Sequence, residues 1–113
     1  AAMSFRAACI QNSATPDVAH DIAVLARLIR DAAAQGAGFV ATPEYCAGLD
    51  TRDGLLYPVA PEEKDHPVLP AMAALASELG IWLLIGSIGV RAADGRGADV
   101  RRCRDLSRHR REE

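Results

Sequence analysis

Aromatic residues are scarce in this chain of 113 residues: Phe5, Phe39, Tyr45, Tyr57 and Trp82 are all it has. Half the residues are nonetheless hydrophobic, with alanine filling much of the remainder, so a single domain can still bury a core. Lysine is scarcer still, with Lys64 alone against twelve arginines, an imbalance that reads as GC-rich coding and not as a binding signal. Three cysteines, Cys9, Cys46 and Cys103, make an odd count without CxxC spacing, which excludes a disulfide framework or a zinc site. His20, His66 and His109 form no metal-ligand spacing either. No apolar run approaches the ~18 residues of a membrane span, and no signal peptide is expected. The expectation is a reduced, cytoplasmic, soluble protein without membrane partners. A glycine-rich phosphate turn is also missing. Gln11-Asn12-Ser13-Ala14-Thr15-Pro16 follows the first strand, so dinucleotide binding is excluded and no cofactor is expected.

What is present alternates in kind. Residues 5–11 are an apolar run of strand length. Thr15-Pro16-Asp17 then carries a helix start, with a hydroxyl cap, a proline and an acid near the positive end of the dipole. Val18, Ile22, Leu25 and Ile29 give one apolar stripe, and Gly36 ends the helix. Residues 39–42 read as a short buried strand, and residues 46–65 as a long aperiodic loop of the kind that carries function. A second helix starts near His66-Pro67, with His66 as a helix-start residue. Its stripe is Val68, Met72, Leu75 and Leu79, and it stops at Gly80. Residues 81–85, running on to Ile88 and Val90, are the strongest strand signal, and Asp94-Gly95 reads as a hairpin turn. The order β-α-β-loop-α-β predicts an α/β fold with parallel neighbours and helices on at least one face.

The chemically suggestive step is Thr42-Pro43-Glu44-Tyr45, directly after the second strand. It delivers a carboxylate to the carboxyl end of a strand, the edge where α/β sheets bind ligands. Such a carboxylate serves as a general base when its pocket tunes it and a proton donor is within reach.

Three blocks carry a family resemblance. Phe5 to Gln11 resembles the opening strand of the nitrilase (carbon–nitrogen hydrolase) superfamily. Residues 31–45, from Asp31 through Gly36-Ala37 to Pro43-Glu44-Tyr45, resemble its next block, in which a helix end leads to a strand and a "PE" step. His66-Pro67 and then Ala76 to Ser87 resemble the third. The blocks fall in family order with family spacing and together cover residues 5–95. Within the superfamily the chain looks closest to the ω-amidase and deaminated-glutathione-amidase branch. The resemblance implies the N-terminal part of an αββα sandwich and a Glu–Lys–Cys mechanism. In it a Cys thiolate attacks the carbon of a small amide or nitrile, a Glu takes the thiol proton and later activates water, and a Lys stabilises the developing charge. It also implies homo-oligomers. Only Glu44 carries over as a catalytic residue. Lys64 lies in the loop before the second helix and does not match the family Lys. Cys9 reads as a small core residue, Cys46 lies in the wrong place for the nucleophile, and Cys103 has no partner.

Charge divides the chain. Residues 1–94 hold six basic and eleven acidic side chains, and residues 95–113 hold seven and four. We therefore read 1–95 as the N-terminal part of a carbon–nitrogen hydrolase domain and 96–113 as an Arg-rich tail. The tail is either out of frame or native to a short gene, and is expected to be disordered or a loose charged helix. Six of the last thirteen residues are Arg, but acids are mixed in and aromatics are lacking, so nucleic acid is not the expected partner. Two functions stay open: a hydrolase of carbon–nitrogen bonds with Glu44 as base, or a truncated, inactive fragment that acts at most as a packing module.

Overall fold

The computed structural model describes residues 3–91 and 98–106. Its elements run β1 (Ala7–Cys9), α1 (Val18–Ala34), β2 (Phe39–Ala41), β3 (Leu49–Arg52), β4 (Leu55–Pro58), α2 (Val68–Leu79), β5 (Trp82–Arg91) and β6 (Ala98–Leu106). Four strands form one sheet in the order β1-β2-β5-β6. The pairs β1–β2 and β2–β5 are parallel, in the register Ala7↔Phe39↔Trp82, and β5–β6 is antiparallel. This is the expected mixed α/β architecture.

Both helices cover one face of the sheet. Ile10, Val40, Leu83 and Ile85 point into that layer and are buried against Leu25 and Ile29 of α1 and Val68, Met72 and Leu75 of α2. Each such side chain contributes about 1.5–3 kcal/mol relative to exposure. The buried stripe of α1 is Asp21, Leu25, Ile29 and Ala32, with Val18 and Ile22 only half-buried. The helix is thus rotated from the predicted stripe, and a carboxylate sits inside it. Its cap also differs from the expectation. Asp17, not Thr15, is the N-cap and accepts from the His20 amide at 3.0 Å. Gly36 (φ +92°) ends the helix in a Schellman arrangement, with Ala37 N–H donating to Ala32 O at 3.1 Å. Gly80 (φ +65°) does the same service for α2.

The opposite face of the sheet carries Ala7, Cys9, Phe39, Trp82 and Leu84, exposed or half-exposed, with Phe5 beside them. This corrects the placement of Cys9, which is exposed and not in the core. The apolar run 5–11 identifies a strand but not which of its faces a helix covers.

Two further differences have physical causes. The stretch 46–65 is not a bare loop, because β3 and β4 pair antiparallel about Asp53-Gly54. Both turn residues have positive φ (+50° and +76°), the requirement of the tight hairpin turn that Asp-Gly satisfies. Residues 98–106, expected to be disordered or loosely helical, form β6 along the whole upper edge of β5. A ten-residue strand presents a row of unpaired amides and carbonyls, and backbone pairing satisfies them without needing alternating apolar side chains. The Asp94-Gly95 turn and residues 107–113 lie outside the described residues.

Candidate functional site

β5 runs further than its parallel neighbour. β2 ends at Ala41, opposite Leu84, while β5 continues to Arg91. The chain leaving β2 stays on the edge that β5 leaves free. Thr42 N–H donates to Leu84 O at 2.9 Å, and Gly86 N–H donates to the Thr42 hydroxyl at 3.2 Å. Tyr45 N–H then donates to Ser87 Oγ at 2.8 Å, and Cys46 N–H to Ser87 O at 3.2 Å. Glu44 is therefore carried between two anchored residues at the carboxyl edge of the sheet, where the sequence placed it. Tyr45, next to it, has φ +47°, a conformation uncommon for a residue with a side chain and one that the surrounding hydrogen bonds maintain.

Close approach of two backbones makes this step. A Cβ on Gly86 would lie 2.4 Å from Pro43 O, 2.5 Å from Pro43 C and 2.6 Å from Thr42 O. Only glycine lets the Pro43–Glu44 segment lie against β5.

The other side of the segment is held by polar side chains. Asn12, just past β1, donates through Nδ2 to Cys46 O at 2.9 Å. Asp21 is 1 % exposed and accepts three kinds of donor. These are Thr15 N–H at 3.0 Å, the Thr15 hydroxyl at 2.8 Å and Gly48 N–H at 2.9 Å. One buried carboxylate of α1 thereby ties the loop after β1 to the loop after β2. Asn12, Asp21, Gly86 and Ser87 were missed by the sequence reading. A signal existed for Asp21, which falls at i−4 from Leu25 on the core side of α1.

Glu44 itself is exposed, and four surface clefts of the described residues are lined elsewhere. Among the described residues, neither Cys46 nor Lys64 joins it. Cys46 is fully buried, and burial pushes its thiol pKa up, with the nearby Asp21 charge acting in the same direction and a hydrogen bond with Thr42 opposing it. A thiol held protonated in the core is not a nucleophile. Lys64 lies on the short 3-10 turn Glu63–Asp65 and pairs with Glu62 at 3.4 Å, the solvated loop charge expected of it. Among the described residues no group of His, Cys, Asp and Glu is placed to hold a metal ion. The carboxylate can accept a proton from a group brought to it, but among these residues none is present to supply one.

His66 is buried just ahead of α2, whose N-cap is Pro67. Val68 N–H donates to the His66 Nδ1 at 3.3 Å, which leaves the ring proton on Nε2, buried with no hydrogen-bond partner. Burial lowers the imidazole pKa below its ordinary 6.5. Above that pH both folded and unfolded chains hold the ring neutral. As pH falls below it, the unfolded chain takes up a proton that the folded one resists, so stability is lost on acidification. Urea midpoints measured from about pH 7 to pH 5 are expected to fall further for the wild-type chain than for His66→Gln. Parallel pH profiles of the two proteins would remove His66 as the cause.

With this geometry in place, comparison with known families identifies the chain. The carbon–nitrogen hydrolase family matches residues 6–106, and the protein belongs to that family. The match runs past Gly95 through all of β6. No helix among the described residues is long and apolar enough to cross a membrane.

Proposed function

We propose that this chain supplies the general base of a hydrolase site that cleaves carbon–nitrogen bonds of small amides or nitriles, and that Glu44 is that base. The observation that carries the reading is the family match across residues 6–106, with Glu44 at the carboxyl end of β2 within it. In the Glu–Lys–Cys scheme the base takes the thiol proton. With an amide, the thiolate then displaces the amine or ammonia, which takes up that proton, to give a thioester. With a nitrile, the thiolate adds and the nitrogen takes up the proton, to give a thioimidate with no leaving group. The base then activates the water that hydrolyses either intermediate. The matching Lys and Cys are not among these residues. Small ω-amides are the substrate class we favour, in a reduced cytoplasmic setting and a self-associating protein.

The exposure of Glu44 and the buried, protonated Cys46 favour a second reading for the 113-residue chain alone, as an inactive packing module. The two readings are tested together. The isolated chain is expected to release no ammonia from small ω-amides, and measurable release would overturn the second reading. In a longer protein that contains this segment and provides the lysine and cysteine, Glu44→Gln is expected to lower kcat/KM by about 10²–10⁴-fold with the circular dichroism spectrum unchanged. Activity that survives the substitution would remove Glu44 from the mechanism.

A further inference from the structure

Glu44 and Tyr45 form a turn just past the end of β2. The chain ahead of the turn is fixed, because Thr42 N–H donates to Leu84 O at 2.9 Å. Pro43 adds no freedom at its own φ, which the ring locks. Behind the turn, Tyr45 N–H donates to Ser87 Oγ at 2.8 Å and Cys46 N–H to Ser87 O at 3.2 Å. In extended backbone successive N–H groups point to opposite sides. Here both converge on one residue, because Tyr45 is left-handed, with φ +47°. That conformation costs energy for a residue with a Cβ, and turns that need it usually place glycine or asparagine there. The Ser87 hydroxyl offsets the cost. It is 1 % exposed and gives Tyr45 N–H an acceptor away from water. Cys46 is not free to turn in compensation, since Asn12 Nδ2 holds its carbonyl at 2.9 Å. Little torsional freedom is left to Glu44 between these fixed points.

We propose that Ser87 is a positioning residue for the general base. Its hydroxyl holds Tyr45 left-handed, and that hand decides the direction in which Glu44 leaves the sheet edge. The inference rests on the hydrolase reading of Glu44 and goes one step deeper, to the group that aims it. Ser87 is buried and acts through the Tyr45 amide, without touching substrate. Without its oxygen, Tyr45 N–H loses its partner and the turn relaxes toward right-handed backbone. The peptide between Glu44 and Tyr45 then swings. Base catalysis needs the carboxylate within hydrogen-bond reach of the proton it takes, so the swing costs rate and leaves substrate binding alone.

Two measurements test this. In the 113-residue chain, Ser87→Ala is expected to raise amide exchange at Tyr45 about tenfold relative to Thr42, whose partner Leu84 O is untouched. The strong amide–Hα contact of a left-handed residue should fade at Tyr45 in the nuclear Overhauser spectrum. Ser87→Thr keeps the oxygen and should preserve both signals. In a longer protein that contains this segment and provides the lysine and cysteine, Ser87→Ala is expected to lower kcat by roughly 10–100-fold at unchanged KM, and Ser87→Thr to recover most of it. A purely structural loss would lower stability without that split. If Ser87→Ala does not fold, Ser87→Cys, of similar shape but with a weak acceptor, takes its place in both measurements. Unchanged exchange and an unchanged contact at Tyr45, or a loss confined to KM, would overturn the proposal. So would an unchanged kcat for Ser87→Ala where Glu44→Gln abolishes activity. Activity that survives both substitutions removes Glu44 as the base, and with it the role given to Ser87, even where the Tyr45 turn opens as expected.

Discussion

Gly86→Ala is expected to destabilise the chain by about 3 kcal/mol, read as a drop in the urea midpoint at unchanged slope. The added methyl would fall 2.4–2.6 Å from three atoms of the Thr42–Pro43 backbone. Backbone has no alternative rotamer to adopt, so either β5 bends or the strand end lifts away. Lifting breaks the bond from Thr42 N–H to Leu84 O and the one from Gly86 N–H to the Thr42 hydroxyl, and puts at risk the pair that Ser87 makes with Tyr45 and Cys46. Gly89→Ala offers a comparison inside the same strand. Its methyl would meet the Pro58 Cβ at 2.7 Å, a ring at the end of the small β3–β4 hairpin, which can shift as a unit. The Gly86 variant is therefore expected to be the worse of the two, and in amide exchange the extra opening should centre on residues 42–46. Equal losses with no local opening there would contradict the idea that Gly86 seats the Glu44 step.

How much of this was legible before any coordinates is uneven. The helices were, because their apolar residues recur at helical spacing and Gly36 and Gly80 mark their ends. Glu44 was placed at the right edge, because strand order and the position of Pro43 suffice for that. What stayed hidden depends on partners distant in sequence. Periodicity reports that a strand has an apolar side but not whether a helix covers it, so Cys9 was assigned to a core it does not join. β6 follows from the unpaired edge of β5, a demand of the backbone that no side-chain pattern records. The β3–β4 hairpin is different, since Asp53-Gly54 is itself a turn signal, and only the lack of alternation in the flanking residues hides the strands. The anchors of the Glu44 segment, Asn12 and Ser87, act through hydrogen bonds that span 34 and 42 residues, and composition has no means of showing them.

The largest loss is expected from Asp21→Ala. Its carboxylate is buried and accepts from Thr15 N–H, the Thr15 hydroxyl and Gly48 N–H, at 2.8–3.1 Å. Removing it strands two backbone donors where water has little access, and hydrogen bonds to a charged acceptor are each worth about 1.5–3 kcal/mol, so a loss of about 4 kcal/mol or more follows. Asp21→Asn separates the contributions. The amide keeps one oxygen for Gly48 or Thr15 but turns a second donor toward N–H groups, so it should recover only part of the deficit. The damage should also be directional. Gly48 has φ +74°, and Val59 N–H donates to its carbonyl at 2.7 Å, so releasing it frees both ends of the β3–β4 hairpin as well as the chain that follows Glu44. Hydrogen exchange of Asp21→Asn, a variant that should still fold, is therefore expected to rise at residues 13–15 and 44–59 while α2 stays protected. A uniform rise across the chain would mean that Asp21 acts only on global stability and does not join the two loops at the carboxyl edge.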